Sequence, residues 1–293
     1  MPTVLVIGAG AIGGFYGAFL AEAGAEVSVV CRSDYETVKE NGFMIQSPLG
    51  NRVFKPKKVM KAPAGQYDYV LVTTKTTVDS TPLLKSVLTP STAIVLLQNG
   101  IFIEEPVRQA FPNHEIISGV AFVGLTRIAP GVIQHGGFGR LAFGLATEKA
   151  RRLSKLFESA GIKSMATDQI QEVRWKKLVW NAAFSPISVT RGGLSTQQIL
   201  ERPELRQLVR DVMAEVCALA KADGCPLPGD VIDKNISDTE TMGHYKTSML
   251  MDFAAHRPME IEAILGNAVR FAHSQHIPIS HLETLYASLV QHL

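Results

Sequence analysis

The stretch VLVIGAGAIGGFYG, from Val4 to Gly17, decides how the first half of the chain folds. Its apolar start, VLVI, is short and rich in β-branched residues, which predicts a buried strand rather than a helix. The pattern G-x-G-x-x-G follows at once. In dinucleotide-binding folds these glycines allow a tight turn, close approach of a pyrophosphate to the backbone, and close packing of the next helix. We therefore predict a cofactor loop, with a glycine-rich turn that binds no ligand as the alternative. Its members are Gly8, Ala9, Gly10, Ala11, Ile12 and Gly13.

The end of the second predicted strand indicates which cofactor this loop would bind. The run EVSVVC, Glu26 to Cys31, ends at Arg32, where an NAD site usually has an acidic residue for the ribose 2′-hydroxyl. A planar, permanently charged guanidinium suits a 2′-phosphate instead. We therefore predict NADP (NADPH), with a solvated arginine at a strand end as the alternative. Asp34 comes two residues later and is predicted to be the N-cap of the next helix.

Length and composition limit the class of protein. A chain of 293 residues is expected to form about two domains. A net charge of +2 gives no indication of a nucleic-acid partner or an anionic membrane surface. Three widely separated cysteines fit reduced thiols, and neither a leader peptide nor a membrane-spanning run is apparent. We therefore expect a cytoplasmic protein with no membrane partner.

The pattern of secondary structure changes near residue 168. Strands and helices alternate up to about Ala166, as in a doubly wound sheet, and strand signals then disappear in favour of helical patterns that run to Leu293. We predict an α/β fold with an N-terminal Rossmann-type doubly wound sheet over residues 1–167 and a C-terminal all-helical domain over residues 168–293. Asp168 is predicted to cap a helix that continues through Phe184.

Two polar segments follow buried strands of the predicted sheet. Lys75 ends the run VTTK, and Asn99 lies in the run QNG. Ligands of open α/β sheets bind beyond the carboxyl ends of the strands. We therefore expect Lys75 and Asn99 to contact cofactor or substrate, with purely local capping roles as the alternative.

The helix after Asp168 carries a line of polar side chains on an otherwise apolar surface. Lys177, Asn181 and Ser185 are spaced i, i+4 and i+8, so they project from one face. A lysine on a buried helix requires a partner or a function, unless its ammonium extends to water. Two later positions are further candidates. Glu260 lies in the first turn of another predicted helix, where its only role could be capping, and Ser248 places a hydroxyl among apolar residues.

Together these segments resemble the ketopantoate reductase (2-dehydropantoate 2-reductase) family over nearly the whole chain. The motifs that carry the resemblance are, in order, GAGAIG, Arg32, VTTK, QNG, WKKLVWN followed by a proline, SML-x-D and R-x-x-E-I-E. The resemblance implies a Rossmann domain, a helical domain and a cleft between them. It also implies NADPH-dependent reduction of a 2-keto acid, which in this family is the step from ketopantoate to pantoate in pantothenate biosynthesis.

The resemblance also implies roles for individual residues. Lys177 corresponds to the general acid, and Glu260 corresponds to its acidic partner, which would either orient the lysine or bind a substrate hydroxyl. Lys75 and Asn99 correspond to cofactor-side residues. The resemblance implies that Asn181 and Ser248 are substrate ligands, and the predicted substrate site also includes Asn99, Lys177 and Ser185.

Three departures from the family pattern concern the substrate. The family usually has asparagine where this chain has Ser185, Asn-Gly where it has Ser195-Thr196, and glutamine where it has Met251. A reductase of another 2-keto acid is therefore the first alternative, and a non-catalytic NADPH sensor is an alternative from another class. No metal is expected, because His273, His276 and His281 lie near helix ends, where histidines are usually solvated. A homodimer through the helical domain is compatible with the sequence.

Overall fold

The computed structural model describes residues 1–291, which fall into two compact units. The first unit consists of Met1–Gln98 and Ile103–Ile170, and the second consists of Asn99–Phe102 and the chain from Gln171 onward. The last two residues of the predicted C-terminal helix, 292 and 293, lie outside the described residues. The division at residue 167 that the sequence indicates stays a prediction of the domain boundary.

The first unit is built on a ten-stranded sheet whose order is β4-β3-β9-β8-β7-β6-β1-β2-β5, with β10 paired to β9. The six neighbouring strands β8, β7, β6, β1, β2 and β5 run parallel to one another. Strand β8 also pairs with β9 as a long antiparallel hairpin. The strands are β1 (Thr3–Ile7), β2 (Glu26–Val30), β3 (Phe43–Gln46), β4 (Arg52–Phe54), β5 (Val59–Met60), β6 (Tyr69–Val72), β7 (Ala93–Leu96), β8 (Glu115–Ala129), β9 (Val132–Gly144) and β10 (Ser164–Ala166).

Strand β1 marks the point where the chain order reverses. After β1 the chain continues into β2 on one side, and it later returns to place β6 on the other side. The apolar residues Val4 to Ile7 are at most 1% exposed, as expected of a parallel strand covered on both faces. The helices of this unit are α1 (Ala11–Glu22), α2 (Tyr35–Asn41), α3 (Thr81–Lys85), α4 (Glu105–Ala110) and α5 (Glu148–Ser159). In open α/β sheets, ligands bind at such a reversal point.

All regular secondary structure in the described part of the second unit is helical. Its elements are α6 (Ile170–Thr190), α7 (Thr196–Leu200), α8 (Pro203–Ala222), α9 (Val231–Glu240), α10 (Ser248–Ala254), a π-helix (Glu262–Gly266), α11 (Asn267–Ser274) and α12 (Ser280–Val290). The predicted fold class, a Rossmann-type sheet followed by an all-helical domain, is confirmed. No helix formed by residues 1–291 has the length and apolar character needed to cross a membrane.

Helix α6 differs from its prediction at both ends. Asp168 is not its cap, because the Asp168 carboxylate accepts the N–H of Ala146 at 3.0 Å. The helix also continues beyond Phe184, past Pro186, to Thr190. Pro186 is buried, and the residues around it, Ala182 to Ser185 and Ile187, are at most 2% exposed; this packing compensates for the N–H that proline cannot donate. The continuation keeps Lys177, Asn181 and Ser185 on one helix.

Candidate active site

The glycine-rich loop connects β1 to α1, and each glycine has a distinct reason to lack a side chain. Gly8 has φ +93°, and a Cβ there would lie 2.5 Å from the backbone nitrogen of Thr74. A Cβ at Gly13 would lie 2.6 Å from Thr73 Oγ1 and 2.7 Å from Val6. At Gly10, the nearest atom to a Cβ would be the Gly8 oxygen at 3.9 Å, so the space over this backbone is open. Of the three glycines, Gly10 is therefore the one that leaves room for a phosphate to approach the backbone.

Two side chains that sequence reasoning missed hold this loop and its neighbour. Thr73 Oγ1 donates to the carbonyl oxygen of Gly8 at 2.8 Å and lies 3.1 Å from that of Ile7. Gln98 donates through Nε2 to the carbonyl oxygen of Thr74 at 2.8 Å. The position of both residues directly after parallel strands was the signal that could have identified them. Lys75, predicted to contact cofactor or substrate, is half-buried in the same segment.

The segment after β2 has Arg32 exposed at the strand end, as a cofactor phosphate would require. Asp34 occupies the N-cap position of α2, but its side chain makes no capping hydrogen bond, so its predicted role was wrong. The helix N–H groups compete with other donors for this carboxylate. The buried Asp34 carboxylate accepts hydrogen bonds from Arg127 and from the N–H of Gly131 instead. The open backbone at Gly10, the N-terminus of α1 and the exposed guanidinium fit a bound dinucleotide phosphate.

In the second unit, a chain of hydrogen bonds joins three of the predicted site residues. Lys177 Nζ donates to Asn99 Oδ1 at 2.8 Å, and Asn99 Nδ2 donates to Glu260 Oε2 at 2.8 Å. All three side chains are half-buried. In this chain the asparagine amide lies between the lysine and its expected acidic partner. Because one end of the amide donates and the other accepts, Glu260 orients the Asn99 oxygen towards the ammonium.

The backbone that carries Asn99 is held firmly against the helices of its unit. Arg174 Nη1 donates to the carbonyl oxygen of Gly100 at 3.1 Å. The N–H of Ile101 donates to the carbonyl oxygen of Ala263 in the π-helix at 3.0 Å. Gly100 has φ +106°, and a Cβ there would lie 2.4 Å from the same Ala263 oxygen. Only glycine fits this approach, so the QNG motif places its asparagine by means of its glycine.

Arg174 and Asn267 belong to this site and were not identified from the sequence. Arg174 is 3% exposed, one turn before Lys177 on α6. Asn267 donates through Nδ2 to the carbonyl oxygen of Ile101 at 2.7 Å. The i, i+3 spacing of Arg174 and Lys177 was a usable signal, because two cations on one buried helix face are expensive without function. Asn267 offered no local signal.

The surroundings of Lys177 prepare it to give up a proton near neutral pH. Burial of the ammonium, and then the positive charge of Arg174, lower the Lys177 pKa, while the carboxylate of Glu260 raises it; together they bring it from 10.5 to about 8. An acid with a pKa near the working pH is the most effective proton donor at that pH. The predicted general acid therefore lies in an environment suited to that role.

The remaining predicted substrate ligands lie on two helices of this unit, Asn181 and Ser185 on α6 and Ser248 at the start of α10. Asn181, one turn after Lys177, is half-buried, and within residues 1–291 its amide makes no hydrogen bond. Ser185 is 2% exposed. Ser248 is exposed as the first residue of α10, which is capped by Thr247. The unpaired Asn181 amide is the group best prepared for a substrate; the roles of Ser185 and Ser248 stay predictions.

Ser195 and Thr196, which replace the family's Asn-Gly, both make hydrogen bonds within the second unit. Ser195 caps α7: its Oγ accepts the N–H of Gln198 at 3.3 Å and lies 3.2 Å from His244 Nδ1. Thr196 Oγ1 donates to the carbonyl oxygen of Gly243 at 3.0 Å. Both side chains thus serve local structure. Met251 is half-buried on α10.

Two of the three histidines considered as metal ligands contact carboxylates. His273 contacts Glu283, and His281 Nδ1 lies 2.9 Å from Glu215, whose carboxylate also accepts the N–H groups of His281 and Leu282. In the described part of the chain, no group of three or more His, Cys, Asp or Glu side chains is arranged to hold a metal ion.

Comparison with known proteins gives matches across both units. The family model "Ketopantoate reductase PanE/ApbA" matches residues 4–148, and its C-terminal counterpart matches residues 169–292. A 2-dehydropantoate 2-reductase of Nostoc sp. is 32% identical, covering 97% of this chain and 93% of its own length.

Solved structures give the same result. The crystal structure of 2-dehydropantoate 2-reductase from Methylococcus capsulatus is 48% identical with a TM-score of 0.91, covering 99% of this chain and 96% of its own. The corresponding structure from Geobacter metallireducens is 34% identical with a TM-score of 0.94, covering 99% of this chain and 100% of its own.

Proposed function

Because the chain belongs to the ketopantoate reductase family, we propose that it catalyses NADPH-dependent reduction of 2-dehydropantoate (ketopantoate) to pantoate. The observation that carries this proposal is the hydrogen-bonded chain of Lys177, Asn99 and Glu260. A protein that only bound the cofactor would have no use for a half-buried lysine with a pKa of about 8.

The chemistry assigns a task to each member of this chain. A bound NADPH would supply the hydride for the carbonyl carbon. As negative charge develops on the carbonyl oxygen, the Lys177 ammonium stabilises it and donates the proton. Asn99 holds the ammonium in place through its Oδ1 atom, and Glu260 holds Asn99. Glu260 therefore acts on Lys177 through the amide, which favours its orienting role over direct binding of a substrate hydroxyl.

The other site residues are proposed as ligands. The Asn181 amide, with Ser185 and Ser248, would bind the polar groups of the keto acid. The cofactor would be bound by the loop from Gly8 to Gly13, by Arg32 at its 2′-phosphate, and by Lys75. The homodimer and the cytoplasmic location stay predictions; sedimentation velocity of the purified protein tests the first.

A reductase of a different 2-keto acid is the second candidate, and it is favoured by the substitution of the family's asparagine by Ser185, a residue with a shorter reach. A serine in this place keeps a hydroxyl but leaves space for water or for a bulkier substrate. A non-catalytic NADPH sensor would instead bind the cofactor without oxidising it in the presence of any keto acid.

The test is NADPH oxidation over a panel of 2-keto acids that includes ketopantoate. Lys177→Ala should lower kcat by roughly 10²- to 10⁴-fold while the protein still binds NADPH. Lys176→Ala is the matched control, because this neighbouring lysine pairs with Glu172 at 2.5 Å and should leave kcat unchanged. Near-normal turnover by Lys177→Ala would remove this lysine from the mechanism. Absence of turnover by the wild type on every keto acid would favour the sensor.

A further inference from the structure

The carboxylate of Asp34, two residues beyond the exposed Arg32, is buried and accepts three hydrogen bonds. Asp34 is 3% exposed. Its Oδ1 atom accepts from Arg127 Nη1 and from Ser33 Oγ, the latter at 2.7 Å, and its Oδ2 atom accepts the N–H of Gly131 at 3.0 Å. The donors Arg127 and Gly131 come from the end of β8 and from the turn before β9. The segment after β2 is therefore attached to the β8–β9 hairpin through one acidic side chain.

A ribose 2′-hydroxyl requires an acidic side chain near the end of the second strand of a dinucleotide-binding fold, and Asp34 lies two residues beyond the usual position, which Arg32 occupies here. Here both oxygens of Asp34 already accept hydrogen bonds from the protein, and the residue is 3% exposed, so its carboxylate is poorly accessible to a ribose. An unpaired carboxylate near the end of β2 would also repel a 2′-phosphate, which carries negative charge of its own. The partly exposed Arg127, whose side chain is 35% accessible, neutralises this carboxylate.

The charges around the strand end therefore add to a positive balance. Arg32 and Arg127 contribute two cations and Asp34 one anion, while Ser33, exposed between Arg32 and Asp34, has its hydroxyl 3.4 Å from Arg127 Nη1. With Arg127 removed, the same segment would hold one cation and one unpaired acid. That segment would have no net positive charge and would attract a 2′-phosphate less strongly.

We propose that Arg127 determines cofactor specificity as a positioning residue: it binds and neutralises Asp34 and so reserves the end of β2 for a 2′-phosphate. This inference rests on the proposed preference for NADPH. Arg127 lies 95 positions from Arg32 in the sequence, and both residues would contribute to recognition of the 2′-phosphate.

The experiment measures the dissociation constants of NADPH and NADH directly, by titration calorimetry on the purified full-length protein. Arg127→Gln should weaken NADPH binding roughly 3- to 10-fold and leave NADH within about twofold, the scale expected of one uncompensated charge near a partly solvated phosphate. Arg127→Lys should retain most of the preference, since it keeps the charge. Arg140→Gln is the matched control: it removes the same charge from β9, where Arg140 lies over the Phe122 ring.

The double variant Arg127→Gln/Asp34→Asn separates charge from structure. Removing the uncompensated acid should restore NADPH binding if the effect of Arg127 is electrostatic, even though the ion pair is lost. Equal weakening of both cofactors by Arg127→Gln, or no recovery in the double variant, would overturn the inference. A wild type that binds NADPH and NADH equally would instead refute the proposed cofactor preference itself.

Discussion

Replacing Glu260 with glutamine should move the pH dependence of catalysis towards acid. Reduction requires the protonated Lys177, so kcat should fall as pH rises through the lysine pKa of about 8. The Glu260 carboxylate raises this pKa, and its charge favours the ammonium form. Glutamine keeps an oxygen that can accept from Asn99 Nδ2 but removes the charge, so Lys177 should lose its proton at lower pH.

The size of the shift follows from the geometry of the Asn99 bridge. Two hydrogen bonds of 2.8 Å through one carboxamide separate the ammonium from the carboxylate by about 5–7 Å. At an effective dielectric constant of about 20, two unit charges at this distance interact by about 2–3 kcal/mol, which is about 2 pKa units. Both side chains are only half-buried, so we expect about 1 unit after solvent screening.

The assay is the profile of kcat against pH at saturating NADPH and keto acid, from about pH 6 to about pH 10. Glu262→Gln is the matched control, because that carboxylate binds Arg270 at 2.7 Å and Tyr286 at 2.6 Å rather than Asn99. Its profile should coincide with that of the wild type. An alkaline limb that stays in place in Glu260→Gln, or moves to higher pH, would refute the electrostatic link through Asn99.

Three further outcomes are expected. Arg32→Ala should weaken NADPH binding about 10- to 100-fold with little effect on NADH, the worth of a charge-assisted contact, and equal losses for both cofactors in calorimetry would contradict this. Ser185→Asn should raise kcat/KM for ketopantoate roughly 2- to 13-fold and lower it for a bulkier keto acid. If the wild type already strongly prefers ketopantoate and the variant shows no gain, Ser185 has no part in substrate recognition. Lys177→Met should change how stability depends on pH. The Lys177 pKa is lowered from 10.5 to about 8 in the folded state, so between these pH values the unfolded wild-type chain binds more protons than the folded one. The free energy of unfolding of the wild type, measured with urea, should therefore rise by up to about 3 kcal/mol relative to that of the variant as pH rises from 8 to 10.5.

Local sequence patterns were sufficient for the elements whose physics is local. The strand VLVI and its glycine loop follow from short-range sterics, and the common face of Lys177 and Asn181 follows from helical periodicity. Arg32 could be placed at a strand end in the same way. The order of the strands could not be predicted, because strand pairing joins segments far apart in sequence.

The sequence by itself therefore determined the fold class and predicted a cofactor loop and a catalytic lysine, while the tertiary structure alone decided how the site is assembled. Asn99–Phe102 belongs to the helical unit, although it follows a strand, because Gly100 and Ile101 bond partners that lie 74 and 166 positions away. Asp34 fits the local pattern of a helix cap, yet donors 93 and 97 positions away occupy its carboxylate. A hydrogen-bonding side chain takes the partners that folding brings closest, and sequence spacing describes only those within a few residues.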